Sequence, residues 1–224
     1  KPLEAHPGHT MYVGVDFGRT PAVIFAQKIA GQLRFIDELF AVNIGADQFC
    51  ERYLKPFVFE RFAHMIGSEW KWIGDPRGDD PTQVDDNTPF LAFRKHGFNI
   101  KPAPTNDPSI RIGAIDGAMN RLVRNGQPGL LISPVCKLWI AGARGKYCFP
   151  RLHTSIERYD DKPTKGRYSH PHDAGQYAAL GAGEGVAYLT GGAPSKPRTV
   201  NTAYDPYRKS GRQPKSSAII IGSR

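Results

Sequence analysis

Residues 11–20, reading MYVGVDFGRT, constrain this chain more than any other stretch. Met11-Tyr12-Val13-Gly14-Val15 is a run of strand formers without polar alternation, which predicts a central strand buried on both faces. Asp16 and Gly18 end it. A carboxylate at the end of such a strand is costly unless it is solvated, paired or bound to a cation. Asp16 is therefore either a turn residue or a metal ligand.

The chain then repeats and extends that pattern. Residues 21–27 and 33–42 predict a second and a third strand around a turn at Gly31-Gln32, so three antiparallel strands open the fold. Residues 47–62 carry Phe49, Cys50, Tyr53, Leu54, Phe57, Val58 and Phe62 at helical spacing, and Pro56 is expected to kink or divide that helix. Trp70-Lys71-Trp72-Ile73-Gly74-Asp75-Pro76 is again an apolar run, then a carboxylate, then turn residues. A short helix over 88–96 closed by Gly97 and a short strand over 98–102 follow. Asp107-Pro108 starts a helix that runs to about 123 and is expected to bury Ile112, Ile115, Ala118, Met119 and Leu122. Residues 129–133 predict another strand and 137–149 a hairpin or ordered loop. Residues 173–180 predict a helix with Asp173 in or before its first turn.

Composition narrows the partners. With 224 residues and 40% apolar content, there is room for one well-cored domain plus appendages. A net charge of +9 points to a polyanion, nucleic acid first and an acidic membrane surface second. Lys137, Arg144, Lys146 and Arg151 are mixed with Trp139, Tyr147 and Phe149, which suits nucleic acid or a solvated hairpin alike. Cys50, Cys136 and Cys148 form no CxxC and no even framework, which reads as a reducing compartment. No apolar run approaches the ~20 residues of a membrane span. The chain starts at Lys1 with no signal peptide, as a fragment or processed piece would. Residues 1–10 read as a linker, 11–190 as one domain and 191–224 as a basic, disordered tail.

Asp16, Asp75 and Asp173 belong to a first strand, a fourth strand and a late helix. In a mixed sheet whose first and fourth strands are central neighbours, their ends lie side by side, and a helix can bring in Asp173. Three carboxylates packed together repel one another and tend to take up protons. Two Mg²⁺ or Mn²⁺ ions remove that conflict and can flank a scissile phosphate. Asp79 and Asp80 follow Asp75 closely, and Asp80 is a candidate further ligand, the alternative being a loop acid. Ser169-His170-Pro171-His172 has two histidines but no cysteine pair, which argues against zinc. His172, beside Asp173, is a candidate to support that acid or touch phosphate; the alternative is a loop histidine exposed to water. Lys165 and Arg167 are candidates to steer DNA or stabilise phosphate charge, with ordinary surface charge the alternative.

The layout is similar to the ribonuclease H-like fold. More narrowly, the chain resembles the nuclease domain of the tailed-bacteriophage large terminase, a DNA-packaging motor protein. The resemblance is carried by Gly14-Val15-Asp16-Phe17-Gly18-Arg19-Thr20 and Ile73-Gly74-Asp75-Pro76. It continues in Gly129-Leu130-Leu131-Ile132-Ser133-Pro134 with Cys136, Leu138 and Tyr147. Most specific is the run from Lys165 through Ser169-His170-Pro171-His172-Asp173-Ala174 to Tyr177-Ala178, within a match over about residues 11–189. It implies an α/β mixed sheet, antiparallel in its first three strands and then parallel, flanked by helices, with a hairpin insertion and a flexible C-terminal tail. It implies Asp16, Asp75 and Asp173 as metal-binding acids for two Mg²⁺ or Mn²⁺ ions. The implied activity is a metal-dependent endonuclease that cuts concatemeric double-stranded viral DNA during packaging, with Arg144, Lys146, Lys165 and Arg167 on the DNA. The implied partners are double-stranded DNA, an upstream ATPase domain, a portal protein and a small terminase subunit, in the host cytoplasm and away from membranes.

Two departures stand out. The chain has no phosphate-cradling loop ending in Gly-Lys-Ser/Thr, so ATP hydrolysis is not expected of it. Gly175 stands where the family has a larger residue. Three other readings fit part of the sequence. One is a non-catalytic DNA-binding or motor-docking module. Another is an actin-like or sugar-kinase-type nucleotide-binding domain, through Asp16-x-Gly18-x-Thr20. The last is a different nuclease of the same fold, such as a junction resolvase.

Overall fold

In the computed structural model, which describes residues 1–79, 88–152, 158–160 and 162–190, strand β1 (Met11–Asp16) lies inside the sheet with partners on both edges. It pairs antiparallel with β2 (Ala22–Ile29), which pairs antiparallel with β3 (Gln32–Phe40). Next come α1 (Ala46–Phe49) and α2 (Lys55–Arg61), joined by a π-helical stretch, Cys50–Leu54. Pro56 therefore widens the helix just upstream instead of dividing it; the looser turn accommodates a ring that has no N–H to donate. Strand β4 (Trp70–Gly74) pairs parallel with β1 on its other edge. After α3 (Pro89–Lys95), β5 (Ile100–Pro102) pairs parallel with β4. Helix α4 (Pro108–Met119) is followed by the small β6 (Leu122–Val123) and β7 (Gln127–Pro128) pair, so it stops before residue 123. Strand β8 (Leu130–Ile132) then joins the free edge of β3 in parallel.

The sheet order is β5-β4-β1-β2-β3-β8, antiparallel through β1, β2 and β3 and parallel beyond. Residues 137–149 are not a hairpin. They form α5 (Lys137–Ala141) running into a π-type turn, Gly142–Lys146, whose Gly145 has φ +109°. The reason lies in β3: Glu38 accepts the amides of Leu138 (2.6 Å) and Trp139 (3.0 Å), capping α5 from outside. A two-stranded pair, β9 (Arg151–Leu152) with β10 (Arg158–Tyr159), comes after it. Helix α6 (Ser169–Gly181) closes this layer.

The chain divides into two units, Lys1–Val186 and Ala187–Arg224, and the sheet, its helices and the candidate site belong to the first. The expected tail over 191–224 lies outside the described residues. Residues 3–9 are bound to the sheet: Leu3 N–H donates to Ser133 Oγ (3.2 Å), and Gln27 accepts from His6 N–H and donates to the His6 and His9 carbonyls. Among the described residues no helix is long and apolar enough to cross a membrane.

Alternation along β1 builds two cores. Met11, Val13 and Val15 face α1, α2 and α3, where Phe25, Phe49, Phe62, Phe90, Phe93 and Trp72 cluster. The other face carries Ala22, Ile24, Leu33 and Phe35 against Ala174, Tyr177, Ala178 and Trp139. Gly14 sits on this second face because α6 comes too close for a side chain. A methyl group there would stand 1.9 Å from the Ala174 carbonyl oxygen and 2.4 Å from the Ala178 nitrogen.

Helix α4 buries Ile115 and Ala118 of the stripe its sequence predicts, but not the rest of that stripe. Ala114, Ile115 and Ala118 are buried with Arg111, while Met119 and Leu122 are 51% and 73% exposed. The inward stripe is shifted by one position because α4 packs against α6, and Arg111 has a partner there.

Two outcomes are expected. Gly14→Ala should lower the unfolding free energy by about 3 kcal/mol or more, read by urea denaturation, because the backbone of α6 cannot yield locally. Cys50 and Cys136 are buried, and burial pushes the Cys50 thiol up to about 12 and the Cys136 thiol higher still. In the native chain only the exposed Cys148 should react quickly with a thiol reagent, and all three cysteines in urea.

Candidate active site

Parallel pairing of β1 with β4 sets Val15 opposite Gly74, so Asp16 and Asp75 follow at the same end of the sheet. The Asp75 amide points to the Val15 carbonyl (3.4 Å). Helix α6 begins at Ser169, one turn earlier than its sequence suggests, so Asp173 lies in the second turn. The close approach at Gly14 seats Ala174 on β1 and brings its neighbour Asp173 to the end where Asp16 emerges. Asp16 and Asp173 are 8% and 4% exposed. All three acids act on one group. Burial first, and then the charges of Asp75, Asp16 and Asp173, push the Tyr177 hydroxyl far above the usual phenol range.

Each carboxylate has polar partners. Asp16 Oδ2 is 2.7 Å from His170 Nδ1. Burial, and secondarily the charge of Asp173, raises the Asp16 carboxyl above the usual range despite that hydrogen bond. Asp173 Oδ1 accepts from Arg111 Nη1 (3.2 Å) and its Oδ2 from Lys165 Nζ (2.9 Å). Arg111 is buried, and its guanidinium lies over the Tyr177 ring, 4.9 Å from the centroid. Its Nε has no hydrogen-bond partner among the described residues. Asp75 Oδ1 accepts from Asn106 Nδ2 (2.9 Å) and the Arg77 amide (3.0 Å). Asn106 Oδ1 in turn accepts the Tyr177 hydroxyl (2.8 Å). One polar network therefore runs from Asp75 through Asn106, Tyr177 and Arg111 to Asp173.

Of the other sequence candidates, Lys165 is on Asp173 rather than free at the surface. Arg144 and Lys146, with Lys137, line an open cavity of about 480 Å³ beside α5. Arg167 lies over the Tyr168 ring at 5.7 Å. Asp79 pairs with Arg94 (3.4 Å), and Asp80 lies outside the described residues. His172 is neither a water-exposed loop residue nor on Asp173. Its ring is stacked between Trp139 (4.5 Å) and Tyr147 (4.4 Å), and its Nε2–H donates to the Trp139 carbonyl (2.9 Å). Burial pushes it down to about 4, so it is neutral. Gly142 leaves room for it, since a methyl group there would meet His172 Nε2 at 2.2 Å.

Sequence reasoning missed Arg111, Asn106 and the contact of His170 with Asp16. Arg111 had a legible signal: positions 111, 114, 115 and 118 form a helical stripe as regular as the apolar one. Asn106, in the loop before α4, had none.

Among the described residues no group of three His, Cys, Asp or Glu side chains is spaced to close on a metal ion. The donor chemistry does suit a hard divalent cation. The acids offer only oxygen, they come from three elements at one sheet end, and burial beside Asp173 drives Asp16 toward protonation, a conflict that a cation would relieve.

The strand order, the mixed pairing and the α6 crossing define a ribonuclease H-like fold. No protein-family model matches the chain, and no curated protein does. Among solved structures, the large terminase from a thermophilic bacteriophage aligns over 79% of this chain and 41% of its own, at 20% identity and a TM-score of 0.57. Its complex with ATP-gamma-S gives 0.58 over the same shares. The chain thus spans less than half the length of the protein whose fold it shares. The large terminase (g2p) nuclease domain from bacteriophage SPP1, with bound Mn, aligns over 80% of this chain and 93% of its own at 17% identity and a TM-score of 0.47, a likeness too distant to support inference.

Asn106→Ala should leave the buried Tyr177 hydroxyl without its acceptor and cost about 1–3 kcal/mol of stability. In a double-mutant cycle with Tyr177→Phe, thermal denaturation should give a coupling of about 1 kcal/mol.

Proposed function

We propose that this chain is a metal-dependent nuclease domain that hydrolyses phosphodiester bonds of double-stranded DNA, and that it serves viral genome packaging as part of a large terminase. The reading is supported by the placement of Asp16 and Asp75 at one end of a ribonuclease H-like sheet, with α6 carrying Asp173 toward that end. The fold shared with the large terminase of the thermophilic bacteriophage supports it. In this reading Asp16, Asp75 and Asp173 would together hold Mg²⁺ or Mn²⁺ ions, two by the family's pattern. Bound divalent ions supply activation of water and stabilisation of the leaving oxygen.

The protein's own groups do the rest. Arg111, buried and always charged, fixes the orientation of Asp173. Asn106 holds Asp75, with Tyr177 behind it. Lys137, Arg144 and Lys146 hold the duplex by its phosphates, so binding should weaken steeply with salt. Phosphate contacts carry no base information, so little sequence specificity is expected. The remainder of the motor, its ATPase, portal and small-subunit partners, belongs to the same proposal.

The test is cleavage of supercoiled plasmid with Mn²⁺ or Mg²⁺. Asp16→Asn and Asp75→Asn should each lose at least about 100-fold in rate with little change in melting temperature. Asp173→Ala is a poorer probe, because stranding the buried Arg111 should cost about 3–5 kcal/mol. Metal-independent binding of DNA with no cleavage in any divalent ion would refute the proposal and leave the docking-module reading.

A further inference from the structure

Asp173 presents two oxygens, and different kinds of cation hold them. Oδ1 faces Arg111, whose side chain is 7% exposed, enclosed by Tyr177 and unable to lose its charge. That partner is permanent. Oδ2 faces Lys165 at 2.9 Å, and the Lys165 side chain is 71% exposed on the segment leading into α6. Its ammonium ends a flexible four-carbon stem and can return to water at little cost. Of the two oxygens of Asp173, Oδ2 is thus the one whose present partner is a cation that can leave.

We infer that Lys165 is the resident cation of this site, neutralising Asp173 until a divalent ion displaces it from Oδ2. The inference rests on the metal-dependent reading above. It accounts for a buried carboxylate whose second partner is an exposed lysine rather than another buried group. An ammonium and a divalent ion cannot share one carboxylate oxygen without repelling each other at a few ångströms. Lys165 thus competes for the site before it can serve elsewhere, and metal affinity is set against it. Once displaced, its ammonium stays tethered within reach of the site and is free to meet an entering phosphate.

The experiment is a Mn²⁺ titration of the whole chain, without DNA, with free Mn²⁺ read by its electron paramagnetic resonance signal. The wild type is compared with Lys165→Met and with Lys71→Met, which removes one positive charge near the opposite end of β4. Lys165→Met should bind Mn²⁺ about tenfold more tightly than wild type, and Lys71→Met as wild type does. The rise in melting temperature on adding Mn²⁺ should be larger for Lys165→Met. Unchanged or weaker binding by Lys165→Met overturns the inference while leaving the nuclease reading intact. Equal tightening in both variants also overturns it, as a general charge effect. Absence of Mn²⁺ binding in wild type and Lys165→Met alike defeats the metal reading itself, and this inference with it.

Discussion

Backbone-to-backbone contact between α6 and β1 at Gly14 is the constraint on which the site depends. The helix rests on the strand with no side chain between them at that point. A residue of any size would lift α6 and move Asp173 away from Asp16. The same economy runs along the helix. A methyl group on Gly175 would stand 2.7 Å from Trp139 Nε1, and one on Gly181 would stand 2.3 Å from the Ile73 side chain. Glycine inside a helix costs about 1 kcal/mol relative to alanine. Here that cost is offset by packing, since Trp139 and Phe35 fill the space a larger residue at 175 would take. Gly175 is thus matched by a large neighbour.

The acids are buried in a way that needs partners. An isolated carboxylate in such surroundings would be strongly disfavoured. Asp173 has Arg111 and Lys165, Asp16 has His170, and Asp75 has an amide and a backbone N–H. These groups hold the three acids in their buried surroundings. Arg111 and Asn106 are anchored from behind by Tyr177, whereas Lys165 comes from the exposed segment before α6 and His170 from the first turn of α6.

The opposite face of the sheet is rigid for a different reason. Phe17, next after Asp16, packs on Phe90 and Phe93 with ring centroids 5.3 Å apart in each case. Methyl groups on Gly74 and Gly78 would both collide with the Phe17 ring. Those glycines flank Asp75, so the aromatic cluster clamps the ends of β1 and β4 where two of the acids emerge. Phe25, Phe57, Phe62 and Trp72 continue the cluster under the sheet. A stiff apolar layer on one side therefore positions charged groups on the other.

Much of this was written locally in the chain. The apolar run before Asp16, its echo before Asp75, the cap at Asp107 and the strand pairs around short turns are nearest-neighbour patterns, and they marked out most of the main strands and helices. What failed locally failed where a distant residue decided. Residues 137–141 became helical because Glu38, about a hundred positions earlier, caps them. Helix α4 turned Arg111 inward because Asp173 waits on α6. His172 went into an aromatic stack that required Gly142 to leave room. The amino-acid order by itself settled the first four strands of the sheet and the acids at the ends of the first and fourth. Only the tertiary structure decided which cation each acid meets, because ion pairs across a fold depend on packing angles that no local spacing encodes.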